Sequence, residues 1–478
     1  MLFRSARSQV FSVILASAAL SMARAARAQT TPVPPPADAP TAAPAPAEVP
    51  PAPAPAPSVA PPPPAPVVLA PVEAPPTPVS PAPPGEDTPR NPRPNEQPTA
   101  KVNPGAKFLI ETADGQNKLE FHAYIDADGR WFLTDKGGVN TFLIRRARPS
   151  LDGKLFKYLD FTLQPDFAGS KLQLLDAYGD LHFFSEVQLR LGKMKPPVGL
   201  ERLQSSRDTF FPELGLPSQL APNRDIGAEL HGNIENGTFE WALGVFNGVT
   251  DGQVGEQDTN DAKDYEGRLF FQPFIPTDIA PLRGFGLGVA GLVGSEQNAP
   301  SPYQTPEQTS FFSYTSSAVQ LGKRTLVNPE AYYYVGPFGA QFELVRANEH
   351  WVTPTSSATI GLTSWMLAAG VALGGDETWR GVQVKHPVDF GKGDFGALEL
   401  GGRYSALRVG DLAFQRGFAN RNSSAQLAKE WGIVASWHLA TWNHIRLAYE
   451  HTSFRGGAPA GGDKKAESLI DTRFQVAF

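Results

Sequence analysis

Cysteine is absent from all 478 residues, so no disulfide framework holds this fold together. Long apolar runs are absent too beyond the first residues. The best stretch, Trp365 to Leu373, is half the ~18 residues that a membrane-spanning helix needs. That excludes helical spans and leaves either a β-barrel, whose alternating strands never read as hydrophobic on average, or no membrane at all. An excess of basic residues is also missing. The formal net charge is −6, and residues 105–478 carry 35 basic against 42 acidic side chains, which argues against nucleic acid as a partner. The eight histidines show no metal-ligand spacing; His122, His231 and His438 each stand alone among strand-like residues. No Gly-x-Ser-x-Gly, Walker or dinucleotide motif occurs. Hence no catalytic residue, metal or cofactor is assigned, and the chain does not read as an enzyme.

What is present divides into three parts. Residues 1–28 read as an export signal: Arg4 and Arg7 precede an apolar stretch from Val10 to Leu20, and Ala23-Arg24-Ala25 and Ala26-Arg27-Ala28 offer small-residue cleavage sites. Residues 29–104 hold 29 of the 47 prolines and almost no aromatics. Such a stretch cannot bury a core and is expected to be an extended or disordered spacer, with a tether across the periplasm and contact with the cell wall as its functional reading. Residues 105–478 form the third part, in which proline thins out and alternating segments recur.

Period-2 alternation is the main signal there. Leu398, Leu400, Gly402, Tyr404 and Ala406 oppose Glu399, Arg403 and Ser405; Ile445, Leu447 and Tyr449 oppose His444, Arg446, Glu450 and Thr452. Phe474, Val476 and Phe478 oppose Asp471, Arg473 and Gln475 at the C-terminus. Roughly 16 to 18 such segments predict an all-β architecture, a transmembrane antiparallel β-barrel of about 16 strands. Gly336-Pro337 and 440–443 read as tight turns, whereas 349–362, 409–428 and 455–466 read as long polar loops. The stretch 376–393 is long where a short turn is due. Tyr332, Tyr333, Tyr334, Trp365, Trp431, Trp437 and Trp442 lie near strand ends, as interfacial aromatic girdles would.

In a barrel of this size the lumen conducts, and inward charges set selectivity. Parity alone puts Arg190, Arg268, Arg403, Arg446 and Arg473 on inward faces, together with Glu186, Glu266, Glu399 and Glu450. An arginine file offers an anion a series of guanidinium forks, but cross-strand neutralisation by those glutamates explains the same residues. Parity leaves the orientations of Arg145, Arg146 and Arg148 open.

Several motifs in one order carry a resemblance. They include Ile144-Arg145-Arg146-Ala147-Arg148, Asp176-Ala177-Tyr178, Arg190-Leu191-Gly192-Lys193 and Pro197-Val198-Gly199-Leu200-Glu201. Ser205-Ser206-Arg207, Ala221-Pro222-Asn223-Arg224, Gly267-Arg268-Leu269-Phe270 and Tyr449-Glu450-His451-Thr452 follow. In these, residues 105–478 resemble the phosphate-selective porin O and P family of Gram-negative outer membranes. The resemblance implies a homotrimer of 16-stranded barrels in outer-membrane lipid, with loops folded inward to a narrow waist that conducts small anions. It also implies a pathway through Arg145, Arg146, Arg148, Arg190, Arg207, Arg224 and Arg268, with Asp176 as an acidic counter-group. Asp225 departs from the family pattern, which favours a second basic residue after Arg224. The expected function is therefore passive diffusion of small anions, phosphate or polyphosphate first. The alternatives are a general or cation-preferring porin, favoured by the acidic balance, and a structural anchor linking outer membrane to cell wall through the spacer.

Overall fold

The computed structural model describes residues 99–103, 107–134, 138–169, 172–255 and 260–478. The export signal and the spacer up to residue 98 lie outside the described residues.

Sixteen strands make the wall. β1 spans Lys118–Phe132, β2 Thr141–Leu155, β3 Leu159–Asp166 and β4 Gln173–Phe184. β5 Val187–Met194, β6 Asp225–Ile234, β7 Phe239–Phe246 and β8 Asp264–Phe271 follow. β9 is Phe285–Asn298, β10 Val319–Val335, β11 Phe338–Thr353 and β12 Ser356–Leu373. The last four are β13 Ala397–Val409, β14 Ala425–Ala440, β15 Asn443–Gly456 and β16 Glu467–Ala477. Each pairs antiparallel with the next, and β16 returns to β1, with Ala477 opposite Tyr124 and Leu469 opposite Phe132. Phe478 and Ala123 exchange two further backbone hydrogen bonds at 3.0 and 3.1 Å. The ring leaves no open edge along the seam, which is what a sheet in lipid requires. A hairpin of Thr99–Asn103 and Lys107–Glu111 extends the start of β1, with Glu111 opposite Lys118. The first of these strands, from Thr99, lies inside the stretch 29–104 read as spacer.

The alternation sorts the side chains as the sequence predicts. Phe474 is 47% exposed on the outside while its neighbour Arg473 is 1% exposed on the inside. Leu367, Ile433 and Leu447 likewise face outward, and Asp126, Arg403, Glu430 and Glu450 are buried inward. Apolar side chains facing lipid and charges facing a lumen are the inverse of a soluble core.

Turns at one end are short: 156–158, 185–186, 235–238, 336–337 and 441–442. Two insertions break that pattern, 272–284 and 374–396, the second covering the expected anomaly at 376–393. It carries a small hairpin, Gly375–Asp376 with Gln383–Val384, and turns into the lumen, where the Trp379 ring stacks on Tyr332 at 5.4 Å. Tyr332 and Tyr334 therefore face inward rather than joining an outer girdle, whereas Trp365 and Trp431 do face outward.

At the other end, the expected long loop 349–362 is not a loop. β11 and β12 run on to Thr353 and Ser356 and turn in two residues. The pattern misleads because it inverts there. Trp351, Ile360 and Leu362 point inward onto the segment between β9 and β10, with Tyr314 stacked on Trp351 at 3.8 Å. His350, Ser357 and Thr359 hydrogen-bond one another outside. Apolar residues inside and polar ones outside suit strands that have left the lipid. Part of the lumen at this end is thereby filled with an apolar core, which includes Leu216, Leu220, Phe311, Phe312 and Phe418.

Candidate pore constriction

The segment 195–224, between β5 and β6, crosses the lumen. Its start is stiffened by Pro196-Pro197, and Gly199 takes a positive φ of 91° to turn into the short helix Leu200–Leu203. Glu343 of β11 receives that helix, accepting hydrogen bonds from the backbone N–H groups of Leu200 (3.1 Å) and Glu201 (3.2 Å). A carboxylate there offsets the unpaired donors of the first turn. Asn328 Oδ1 accepts the Gly199 N–H at 2.9 Å. Farther along, Arg403 of β13 donates to the Glu213 carbonyl at 2.7 Å and lays its guanidinium over Phe211, and Arg473 of β16 donates to the Pro212 carbonyl. The crossing segment is anchored at both walls.

Glu213 is the knot in this crossing. Arg145 donates to both carboxylate oxygens, at 2.8 and 3.0 Å, and Arg146 (3.2 Å), Arg473 (2.9 Å) and Arg130 (3.3 Å) join it. Burial alone would raise its carboxyl, but these four guanidiniums hold it well below the usual carboxylate range. The orientation that parity left open is resolved by a bulge. Arg146 stands opposite Asp126 and Ile144 opposite Ala127, so Arg145 is the extra residue. One inserted residue lets Arg145, Arg146 and Arg148 all reach the lumen. The first two are bound to Glu213; Arg146 also meets Asp126 at 2.9 Å.

Three cavities adjoin the crossing. The largest, about 770 Å³, opens toward the short turns and is lined by Tyr178, Arg190, Arg207, Asp208, Trp379 and Trp442, among others. A second of about 190 Å³ lies toward the long loops, against Arg145, Arg146, Arg202, Glu213 and Gln308. Four residues line both: Arg148, Lys195, Ser206 and Arg224. They are the waist, three cations and a hydroxyl. Arg148 is held by Asp166 (2.6 Å), Tyr124 (2.7 Å) and the Ser206 hydroxyl (3.0 Å). Arg224 meets Asp176 at 3.3 Å and Asn223 at 2.8 Å. Lys195 donates only to carbonyls, those of Leu203 (3.3 Å) and Gln204 (2.7 Å), and no ion pair to it occurs among the described residues. Burial, and then the neighbouring Arg224, push its ammonium well below the ordinary lysine range.

The other expected pathway residues line chambers beside the waist. Arg190 pairs with Asp180 (2.7 Å) and lies 4.9 Å over the Tyr178 ring. Arg207 stacks on Trp442 at 4.7 Å beside Asp208, whose carboxyl burial pushes up to about 6. Arg268 is tied to Glu330 at 2.7 Å and borders a third cavity of about 250 Å³, with Arg190 and Lys195. Asp225, the departure from the family pattern, turns away and accepts the Gly248 N–H at 2.8 Å, so it adds no charge to the waist. Sequence reasoning missed Lys195 and Arg202 as lining residues, although both lie between quoted motifs. It also missed Arg380, which the 374–396 insertion brings to the largest cavity.

The barrel's acidic excess gathers elsewhere on the wall. Arg324 is ringed by Asp251, Asp264 (3.5 Å) and Glu296 (3.1 Å), with Glu266 buried nearby.

A family model described as phosphate-selective porin O and P matches residues 118–478. Among solved structures, the outer membrane channel DcaP of Acinetobacter baumannii aligns with a TM-score of 0.52 at 9% identity, over 78% of this chain and 100% of that one. An anion-selective porin from Comamonas acidovorans aligns at 0.46 and 14% identity, over 76% and 100%. OmpT of Vibrio cholerae in its trimer form aligns at 0.45 and 10% identity, over 76% and 99%. No curated protein matches the sequence.

Proposed function

The chain belongs to the phosphate-selective porin O and P family and is an outer-membrane channel for small solutes; from that premise we propose that the solutes it favours are small anions, phosphate and polyphosphate first. The observation that supports this reading is the composition of the waist. Arg148, Lys195 and Arg224 meet there, three cations against two paired carboxylates, Asp166 and Asp176. An anion arriving from either chamber exchanges part of its hydration for guanidinium and ammonium donors, each matched to phosphate oxygens. Because those cations already hold protein acceptors, each new contact is weak enough to be released onward. The net negative charge of the chain does not oppose this, since aligned charges at a narrow passage outweigh distant carboxylates screened by salt.

On this reading the short-turn end faces the periplasm, residues 29–104 form a periplasmic spacer, and three barrels assemble as a trimer. A cation-preferring pore is the second reading, favoured by the acidic wall around Arg324. Reversal potential across a planar bilayer under a potassium chloride gradient separates the two. The anion reading requires reversal toward the chloride potential and a chloride current blocked by added phosphate. Reversal toward the potassium potential would reject it in favour of the second. Deleting 29–104 should leave conductance intact; loss of envelope attachment in that variant would instead favour an anchoring role.

A further inference from the structure

Lys195 occupies a place that no other cation among the described residues shares. It lines all three cavities, whereas Arg148 and Arg224 line two. It is also the cation of the waist whose hydrogen bonds go only to backbone carbonyls. Arg148 has Asp166 and Arg224 has Asp176, so their charges are in part already answered. We infer that Lys195 sets the anion preference of the pore, and that it does so as a titratable group whose charge, and with it the preference, is lost at alkaline pH. The inference rests on the anion-pore reading above.

The surroundings bear this out from every side. Arg148 comes from β2, Asp176 from β4, Arg190 from β5 and Glu240 from β7; Arg224 precedes β6, and Arg202 and Asp208 share the crossing segment. A guanidinium ordinarily keeps its charge at any working pH, although burial and the neighbouring Arg224 lower that of Arg202 to about 10. Burial pushes the Asp208 carboxyl up only to about 6, which is still on the acid side of neutrality. Lys195 is thus the cation of the waist, beside Arg148 and Arg224, whose charge can change between neutrality and pH 10. Half-buried, and crowded by Arg224 and Arg202, its ammonium is destabilised. An anion in the waist adds counter-charge to that of Asp176 and Asp208 and favours the protonated form. By linkage, the proton favours the anion equally. Anion uptake at the waist is then coupled to uptake of a proton by Lys195, and the sign follows: as pH rises through the lowered lysine range, the cation and the anion's affinity disappear together.

The full-length protein in a planar bilayer tests this, with sulfate as probe because it stays a dianion throughout. Block of chloride current by sulfate is measured from pH 6 to 10. Wild type should lose affinity by about tenfold or more across that range, at a midpoint below that of free lysine. Lys195→Arg should keep tight block at every pH, and Lys195→Met should show the alkaline behaviour even at pH 6. A pore that is anion-selective at pH 6 but flat to pH 10 would overturn the lysine inference alone. So would a Lys195→Arg protein that titrates like wild type. A pore already cation-selective at pH 6 would overturn the anion reading beneath it. The wild-type profile decides the matter even if a variant does not assemble.

Discussion

Two groups of cations in this lumen stand in opposite surroundings. Around Glu213, Arg130, Arg145, Arg146 and Arg473 converge on one carboxylate, and all but Arg145 are also held by Asp126 or Asp128. At the waist, Arg148, Lys195 and Arg224 border open space on two sides. The residue types barely differ; their partners do. A guanidinium whose donors are consumed by buried carboxylates is a strut, fixed by the cost of leaving any of those charges alone. A cation with donors to spare and a cavity beside it is free to meet a solute. Counting arginines on a lumen face therefore overstates the pathway, and asking what each one already holds separates the two groups.

The sharpest way to break that contrast is Glu213→Gln. Four guanidiniums lose their shared counter-charge, and removal of one partner of a buried ionic cluster costs roughly 3–5 kcal/mol. Thermal or denaturant unfolding of the folded barrel should shift down accordingly; an unchanged midpoint would mean the cluster is a bystander. Next in size is Arg224→Gln, which removes a waist cation. Phosphate block should weaken by about tenfold while the unfolding midpoint stays nearly fixed. Loss of stability without loss of block would place Arg224 among the struts. The smallest effect is expected of Arg145→Met. Three arginines remain on Glu213, so stability should fall by roughly 1 kcal/mol and ion selectivity should not move. A clear drop in anion preference there would dissolve the distinction between knot and waist.

Much of the wall was legible because lipid imposes one rule on every strand it touches. The alternation of Phe474, Val476 and Phe478 against Arg473 and Gln475 needed no tertiary knowledge, and counting such segments gave roughly 16 to 18 against the 16 strands of the wall. The rule fails where lipid is absent. Strands β11 and β12 extend beyond it with their apolar residues turned inward, so 349–362 mimicked a polar loop. Tyr332 and Tyr334 mimicked a girdle because their partner Trp379 comes from an insertion distant in sequence. The site was less legible still. Arg145, Arg146 and Arg148 could not be oriented by parity, since a single bulge between them resets it. Lys195 gave no signal because its importance lies in which cavities it borders, and no spacing encodes that. Asp225 looked like a charge at the waist only because its neighbour Arg224 is one; its carboxylate closes a turn at Gly248 instead.

Glu213 also bears on how the molecule is assembled. Its four arginine partners come from β1, β2 and β16, the strands on either side of the seam where the ring meets itself. The segment that narrows the channel is therefore a buckle across that seam. Fastening the buckle and joining the two ends of the sheet draw on the same ionic contacts, so each should favour the other as the chain assembles. A cylinder that closes thereby gains the contacts that hold its crossing segment in place.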